Sequence, residues 1–256
     1  MKFTGIVFLF IFMFCGRETY AQQKIVLDAA DGLAVVADSY FVNDTLPWIL
    51  MFHQAGSSRG EFRDVAPKFN LLGYNGLAVD LRHGREVNFV ANETARAARD
   101  GNFSNNVHDA VNDMVAAVRW AEGKNDKPVI LLGSSFSASL ALMVAKERLC
   151  TGAVLAFSPG EFLGPPGVVQ EAITGLRKPV FIAATQTELP YVTELTSGIG
   201  DEFKTLFSPS GGTGVHGARA LWEDASSSNE YWLAVLLFID KIKNLGCIIN
   251  NGTDDQ

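Results

Sequence analysis

Residues 129–140 read VILLGSSFSASL, and this stretch decides the fold. The apolar run 129–132 predicts a strand buried on both faces, and the apolar residues after Phe136 predict a buried helix. Gly133 and Ser137 place small residues on both sides of Ser135, which is the pattern of a nucleophile elbow. Such a sharp strand-to-helix turn lifts the serine hydroxyl above the edge of the sheet. The stretch therefore predicts a reactive serine, with an ordinary strand–helix corner as the alternative.

Outward from this stretch, apolar runs that predict strands alternate with segments that predict helices. The alternation indicates a doubly wound, mostly parallel α/β sheet flanked by helices, after an antiparallel start around Asp31. We expect one domain over residues 22–256. The predicted strands are 24–28, 34–41, 48–52, 76–81, the run ending at Gly133, 153–157, 179–184 and 203–207. The predicted helices are 60–72, 107–121, the one after Ser135, 168–176, 190–197 and one opening near Ser228.

In the last predicted helix, large apolar residues recur at helical spacing, and we expect this stripe to face the core. These residues are Trp232, Val235, Leu236, Ile239 and Ile242. Ligands of doubly wound sheets bind at the carboxyl ends of the strands, so every residue that directly follows a strand is a site candidate.

Composition limits the classes of partner. The chain has 256 residues and a formal net charge of −7. A chain of this length can bury a large core. The acidic balance argues against nucleic acid or an anionic membrane surface as the main partner. We expect a small-molecule substrate instead, and the sequence leaves the oligomeric state open.

Residues 1–21 have the pattern of a secretory signal peptide. Lys2 supplies a positive start, residues 6–14 an apolar centre, and Ala21 a small residue at the exit. The apolar centre is too short to favour a spanning helix. We therefore expect cleavage near Ala21 and export, to a periplasm or the medium. Removal of the leader leaves Cys150 and Cys247, and the sequence does not decide between a disulfide and two separate thiols.

A nucleophilic serine needs a base that takes its proton and a third group that orients the base. The chain has four histidines. His108 falls inside a predicted helix, His83 precedes the serine in the chain, and His53 ends a strand beside a turn. His216 follows the last predicted strand in the glycine-rich segment 211–217. We expect His216 to be the base, because such a loop can carry a side chain across the edge of the sheet.

Two glutamates compete for the role of the orienting acid. Glu188 follows the predicted strand 179–184, and Glu161 follows the strand before it. We favour Glu188 because its strand lies nearest the His216 segment in this order. The alternative for either residue is that it only caps the helix that follows.

The reaction also needs donors for a developing oxyanion. We expect the backbone N–H groups of Phe136 and Ala55 to supply them, since one opens a helix and the other lies in the turn after strand 48–52. We expect His53, Gln54 and Arg85 to contact the substrate, although the default for His53 is that it only braces the turn. Arg85 belongs to a long polar connection, 83–106, that we expect to border the site.

Together these residues resemble the α/β-hydrolase fold, from Lys24 to the last helix. The likeness is carried by HQAG at 53–56, GSSFS at 133–137 and HG at 216–217. Within that fold, the chain is most similar to the dienelactone-hydrolase-like branch. The resemblance implies a hydrolase of small esters or lactones with a serine or cysteine nucleophile. The interval 161–178 leaves no room for a large cap. The chain departs from dienelactone hydrolases proper in having Ser135 where they have cysteine, and a glutamate as the acid.

The sequence thus predicts an exported serine hydrolase that cleaves a carboxylic ester or lactone through an acyl-enzyme on Ser135. No metal or organic cofactor is expected. The first rival is a non-catalytic binding protein of the same fold, since a fold alone does not fix a function. The second is a metal-dependent hydrolase using His53, His83 and His216, which no paired-ligand spacing supports.

Overall fold

The computed structural model of the protein describes residues 22–243, and the predicted signal peptide and Cys247 lie outside this range. Strands and helices alternate through the described chain. The strands are β1 (Gln22–Asp28), β2 (Ala34–Tyr40), β3 (Trp48–Phe52), β4 (Asn75–Val79), β5 (Val129–Ser134), β6 (Thr151–Phe157), β7 (Val180–Ala183) and β8 (Lys204–Phe207). The helices are α1 (Ala66–Leu71), α2 (Glu93–Asp100), α3 (Val111–Glu122), α4 (Phe136–Glu147), α5 (Val168–Ile173), α6 (Leu189–Leu195) and α7 (Ser228–Ile242).

The described strands form one sheet in the order β1-β2-β4-β3-β5-β6-β7-β8. β2 runs antiparallel to both of its neighbours, and every other neighbouring pair is parallel. A tight turn in which Ala29 N–H donates to Leu33 O joins β1 to β2. The predicted mostly parallel sheet with an antiparallel start is confirmed. Its parallel strands bring their carboxyl ends to a single edge.

Helices cover both faces of the sheet, which explains why the central strands are apolar throughout. Every residue of β3, β4 and β5 is buried. Helices α2 to α6 pack on one face, while α1 and α7 pack on the other with a 3-10 turn at Gly217–Leu221. Full burial of a large apolar side chain contributes about 1.5–3 kcal/mol, so these two apolar layers dominate the stability. Between β6 and β7 the chain contains only turns and α5, so no large cap covers the carboxyl edge.

The helix predicted over residues 60–72 is two elements, a 3-10 turn at Arg59–Phe62 and α1. Ser58 caps the start of the 3-10 turn, because its Oγ accepts from Gly60 N–H. Pro67 lies in the first turn of α1 and has no N–H, so it cannot continue a helix from the preceding turn.

The connection 83–106 contains a helix, α2, that the sequence pattern did not indicate. Asn92 caps it, with Oδ1 accepting from Ala95 N–H at 2.7 Å. The apolar residues that α2 buries are Ala95 and Ala98, so it shows no stripe of large apolar residues. Its polar Glu93 instead bonds to Arg59 at 2.8 Å. A helix held by ion pairs and alanines resembles a polar loop in sequence.

The predicted core stripe of α7 is partly wrong. Leu236 is 41% exposed and Trp232 is only half-buried, whereas Tyr231 and Phe238 lie in the core. Val235, Ile239 and Ile242 are buried as predicted. Tyr231 and Phe238 complete the buried face in place of Trp232 and Leu236, because several rows of apolar residues recur at helical spacing in a helix this apolar. Within the described residues, none of the helices is both long and apolar enough to cross a bilayer.

Candidate active site

Ser135 lies in the turn between β5 and α4 with strained backbone angles. Its φ of 59° and ψ of −122° fall outside the regions that side-chain-bearing residues ordinarily occupy. The turn is fixed from both sides, since Ser135 N–H donates to Phe157 O at 2.8 Å and Ser135 O accepts from Ala138 N–H at 2.9 Å. Strain of this kind persists only where the surrounding structure holds it. Ser135 is largely buried, with 8% of its surface exposed at the carboxyl edge.

The small residues that flank Ser135 each have a structural reason. A Cβ on Gly133 would lie 2.4 Å from Ser137 O and 2.5 Å from the Cα of Ala138, so only glycine fits. Ser137, which stands where many such turns have a second glycine, uses its hydroxyl. Its Oγ donates to Phe52 O at 2.7 Å and accepts from Ser134 N–H at 2.8 Å. This serine therefore ties the turn to the end of β3.

His216 and Glu188 meet at the same edge of the sheet. The Nδ1 of His216 lies 2.5 Å from Glu188 Oε1 and donates to it. The other carboxylate oxygen accepts from Thr185 N–H at 3.0 Å and from Ser158 Oγ at 2.7 Å. Burial raises the pKa of Glu188, but these hydrogen bonds, that of His216 foremost, outweigh it and lower the pKa to about 2. Glu188 is therefore ionised at neutral pH and holds a proton on Nδ1 of the imidazole.

Glu161, the alternative acid, lies elsewhere. Its two carboxylate oxygens accept from Val169 N–H at 2.8 Å and Gln170 N–H at 2.9 Å, at the start of α5. This is the helix-capping role that the sequence left open. Glu161 forms no bond to His216, so the structure pairs the histidine with Glu188.

The segment that carries His216, residues 208–222, is called the base loop here. Two hydrogen bonds from its backbone attach it beside the Ser135 turn. Ala218 N–H donates to Ser134 Oγ at 2.8 Å, and Gly217 N–H donates to Ser158 Oγ at 3.1 Å. Gly217 has a φ of 72°, and a Cβ there would lie 2.5 Å from Ser134 Oγ. The His216 side chain is 44% exposed, and its Nε2 has no protein partner among the described residues.

Two backbone N–H groups without a protein acceptor among residues 22–243 lie in the turns that follow β3 and β5. Phe136 opens α4, where amide donors have no acceptor within the helix. Ala55 is exposed in the turn that follows β3, residues 53–56, which is called the oxyanion turn here. Neither N–H donates to a protein acceptor in the described part of the chain. Gln54, in the same turn, approaches the base loop, since a Cβ on Gly217 would lie 2.8 Å from Gln54 Oε1.

His53 is fully buried and uses both ring nitrogens inside the protein. Nδ1 donates to Gln54 O at 2.8 Å, and Nε2 accepts from Leu81 N–H at 2.9 Å and from the Asn92 amide at 3.2 Å. Burial lowers its pKa to about 4, so the ring is neutral at neutral pH. These contacts match the bracing role kept as the default, and they leave no ring nitrogen for a substrate.

The other two histidines lie outside the Glu188–His216 pair. His83 is half-buried, donates from Nδ1 to Asn105 O at 2.9 Å, and sits edge-on to the Phe136 ring. His108 is exposed in a 3-10 turn that precedes α3, rather than inside a regular helix. Residues 22–243 contain no group of three or more histidine, cysteine or acidic side chains arranged to hold a metal ion.

The polar connection after β4 borders the site as expected. Arg85 N–H donates to Ser57 O at 2.9 Å, which attaches this connection to the segment following the oxyanion turn. Arg85 and Arg99 line a cleft together with His83 and Gly56. Arg96 is exposed on the same helix as Arg99 but is not among the residues that line this cleft.

Sequence reasoning did not single out Ser158 or Ser134. Ser158 directly follows β6 with a φ of 52°, a second strained serine at this edge, and it bonds to both Glu188 and the base loop. The sequence signal for Ser158 was its position, since a hydroxyl residue between a buried strand and Pro159-Gly160 lies in a turn at the carboxyl edge. Ser134 gave no local signal, because its side-chain partners are distant in the chain.

Comparison with known proteins places this geometry in a family. The profile of the dienelactone hydrolase family matches residues 34–205. A comparison with curated protein sequences gives no match.

Several solved structures share the fold at low identity. An esterase of Pyrococcus furiosus superposes with a TM-score of 0.65 at 17% identity, covering 88% of this chain and 92% of the esterase. A dienelactone hydrolase of Anabaena variabilis gives 0.65 at 15%, covering 87% of this chain and 98% of that one. An esterase domain of a Rhodothermus marinus protein gives 0.60 at 14%, with coverages of 87% and 98%. The α/β-hydrolase fold is thus confirmed, and the chain belongs to the dienelactone hydrolase family, as a hydrolase of the ester or lactone type.

Proposed function

We propose that this protein is an exported serine hydrolase that cleaves a small carboxylic ester or lactone through an acyl-enzyme on Ser135. The observation that carries the proposal is the 2.5 Å bond between His216 Nδ1 and Glu188. A proton held on Nδ1 leaves the lone pair on Nε2, which is the atom that can act as a base. The base loop is bonded to Ser134, the residue before the strained turn at Ser135, and the Ser135 hydroxyl is the nucleophile that we assign to this base.

Acylation proceeds by attack of Ser135 Oγ on the substrate carbonyl carbon while His216 Nε2 takes the hydroxyl proton. The Glu188 carboxylate stabilises the imidazolium that forms and keeps the ring oriented. His216 then gives the same proton to the leaving alcohol oxygen as the carbon–oxygen bond breaks. An ester releases its alcohol at this point, whereas a lactone keeps it attached to the acyl group.

We assign the oxyanion role to the N–H groups of Ala55 and Phe136. One such donor is typically worth about 10²- to 10³-fold in rate. Deacylation repeats the sequence with water, which loses a proton to His216 Nε2 and attacks the acyl carbon. Ser135 regains its proton from the imidazolium, and the carboxylic acid leaves. The proposed chemistry uses no metal or organic cofactor.

On the substrate side, we assign contacts to Gln54 and Arg85. Gln54 borders the base loop from the oxyanion turn, and Arg85 lines the cleft next to it. Arg99 lines the same cleft, so an anionic group on the substrate would meet two cations there. The absence of a large cap between β6 and β7 favours a small ester or lactone over a peptide.

The test is intact-mass spectrometry of the mature protein after incubation with a fluorophosphonate. We expect a single adduct on Ser135 that is absent from Ser135→Ala. The Glu188→Gln variant should label much more slowly than wild type, because the histidine loses its orienting charge. Glu161→Gln is the matched control and should label at the wild-type rate, since Glu161 caps α5.

The same spectrum tests export. Protein recovered from a host with an intact secretory pathway should begin at Gln22, as cleavage after Ala21 requires. A chain that retains residues 1–21 would contradict the export proposal without touching the catalytic one. Folded protein that gives no adduct would instead favour the rival function, a non-catalytic binding protein of this fold.

A further inference from the structure

We propose that Glu61 is a positioning residue that fixes the oxyanion turn and the base loop relative to Ser135. The inference rests on the proposed function, because it concerns the geometry of the same site. Glu61 lies in the 3-10 turn Arg59–Phe62 and is fully buried. Among the described residues it forms no hydrogen bond to Ser135, His216 or Glu188, so the effect that we propose on the chemistry passes through its neighbours.

Each carboxylate oxygen of Glu61 binds a different segment of the site. Oε2 accepts from Gln54 N–H at 3.0 Å, which holds the oxyanion turn directly before Ala55. Oε1 accepts from Ser134 Oγ at 2.7 Å, on the residue that precedes the nucleophile. The two bonds add to the link that Ser137 Oγ makes between the Ser135 turn and the end of β3.

The base loop is attached at both ends of its 3-10 turn, at one end to Ser134 and at the other to Glu61. Ser134 Oγ, while donating to Glu61, accepts from Ala218 N–H at 2.8 Å. The backbone oxygen of Glu61 accepts from Trp222 Nε1 at 2.9 Å. One residue therefore meets partners that are 7, 73 and 161 positions away in the chain.

The charge environment of Glu61 separates it from the other fully or nearly fully buried carboxylates. Asp38 and Asp80 pair with Arg59, and Asp113 pairs with Arg82. Among residues 22–243, Glu61 has no cation within salt-bridge distance. Burying a carboxylate without a cation is costly, and a neutral side chain could fill the same space. Glu61 binds donors from three parts of the site at the point where they meet, which points to a role in holding the site together.

The expected consequence of losing this group is a misplaced oxyanion turn rather than an unfolded protein. Oxyanion donors act at distances of about 2.7–3.1 Å, so small displacements are felt in the rate. A displacement of about 1 Å at a reacting centre can cost about 10²-fold. The loss should fall mainly on kcat, since the oxyanion donors act on charge that develops in the transition state, while the substrate contact assigned to Arg85 remains.

The experiment compares Glu61→Ala, Glu61→Gln, Ser134→Ala and a control, Asn75→Ala. Asn75 is also fully buried and makes four side-chain hydrogen bonds to residues 42–46, but at the opposite edge of the sheet. Hydrogen exchange by mass spectrometry is followed in peptides covering residues 53–57, 216–222 and 41–47. The kcat and KM for a simple aryl ester are measured on the same samples.

We expect Glu61→Ala to raise exchange in both site peptides and to lower kcat about 10²-fold at nearly constant KM. Ser134→Ala should raise exchange in 216–222 alone, because the bond from Gln54 to Glu61 survives. Glu61→Gln should retain more activity than Glu61→Ala, since its carbonyl oxygen can still accept from Gln54 N–H. Asn75→Ala should raise exchange in 41–47 and leave kcat unchanged.

The proposal is overturned if Glu61→Ala raises exchange evenly across the chain, or if its kcat equals that of Asn75→Ala. If Glu61→Ala does not fold, the exchange patterns of Glu61→Gln and Ser134→Ala decide the question in the same way. Wild-type protein that turns over no ester would defeat the proposed function, whereas the exchange pattern would still show whether Glu61 links the two segments.

Discussion

His53 and His216 follow strands that end at the same edge of the sheet. His53 lies in the oxyanion turn and His216 in the base loop. The surroundings of the two rings are nevertheless opposite. His53 is fully buried with both nitrogens bonded inside the protein, while His216 is 44% exposed with Nδ1 bonded to Glu188 and Nε2 free of a protein partner. A histidine is made into a brace or a base by the atoms that meet its two nitrogens, not by its place after a strand.

The largest effect expected from this comparison is on kcat, when His216 is replaced. His216→Gln should lower kcat about a thousandfold, because it removes the group that we propose takes the proton of Ser135. The free energy of unfolding should fall by only about 1 kcal/mol, the value of one hydrogen bond at a half-exposed site. Steady-state kinetics and urea unfolding measure the two quantities. His108→Gln, at an exposed histidine away from the site, is the control, and an equal loss of kcat there would break the comparison.

The second expected effect is on stability, and it depends on His53. Burial lowers the pKa of His53 to about 4 from its ordinary value of 6.5. Between these values the unfolded chain binds a proton that the folded chain does not, so folding stability decreases as the pH falls. The linkage relation gives a loss of about 3 kcal/mol between pH 7 and pH 4.

His53→Gln isolates this contribution, because glutamine offers Leu81 N–H an acceptor that does not titrate in this range. The difference in unfolding free energy between wild type and His53→Gln should therefore shrink as the pH falls. Equal pH dependence in the two proteins, measured by urea unfolding from pH 7 to pH 4, would mean that His53 is not held neutral by burial.

The smallest expected effect concerns the cleft of Arg85, which Gly56 of the oxyanion turn also lines. Arg85→Ala should raise KM for an anionic ester about fivefold, since a solvent-exposed ion pair contributes up to about 1 kcal/mol. KM for a neutral ester should stay constant. Arg96→Ala is the matched control, because Arg96 does not line the cleft. Unchanged KM values in Arg85→Ala and Arg99→Ala on both esters would remove the arginines from substrate recognition.

The sequence carried much of this architecture. The strand bounds 48–52 agree with β3, and the antiparallel start, the parallel sheet and the position of Ser135 before a buried helix follow from apolar runs and small residues. These features depend on local sequence, since burial on both faces and a sharp turn leave their marks within a few residues. The family resemblance rested on the same short motifs, and the match over residues 34–205 confirms it.

Other features depend on partners far apart in the chain, and short-range patterns do not contain them. The sequence left Glu188 and Glu161 as alternatives, because both follow strands and precede helices; their carboxylate contacts distinguish them. Helix α2 was missed because ion pairs and alanines hold it in place of an apolar stripe.

The sequence by itself determined the fold class, the strained serine turn and the short set of residues able to serve it. Only the tertiary structure decided which glutamate meets His216, that His53 is buried with both nitrogens bonded, and that Glu61 joins three segments of the site. The physical reason is the range of the interactions. Apolar periodicity and turn sterics act between near neighbours in the chain, whereas hydrogen bonds and desolvation depend on which distant segments the folded sheet brings together.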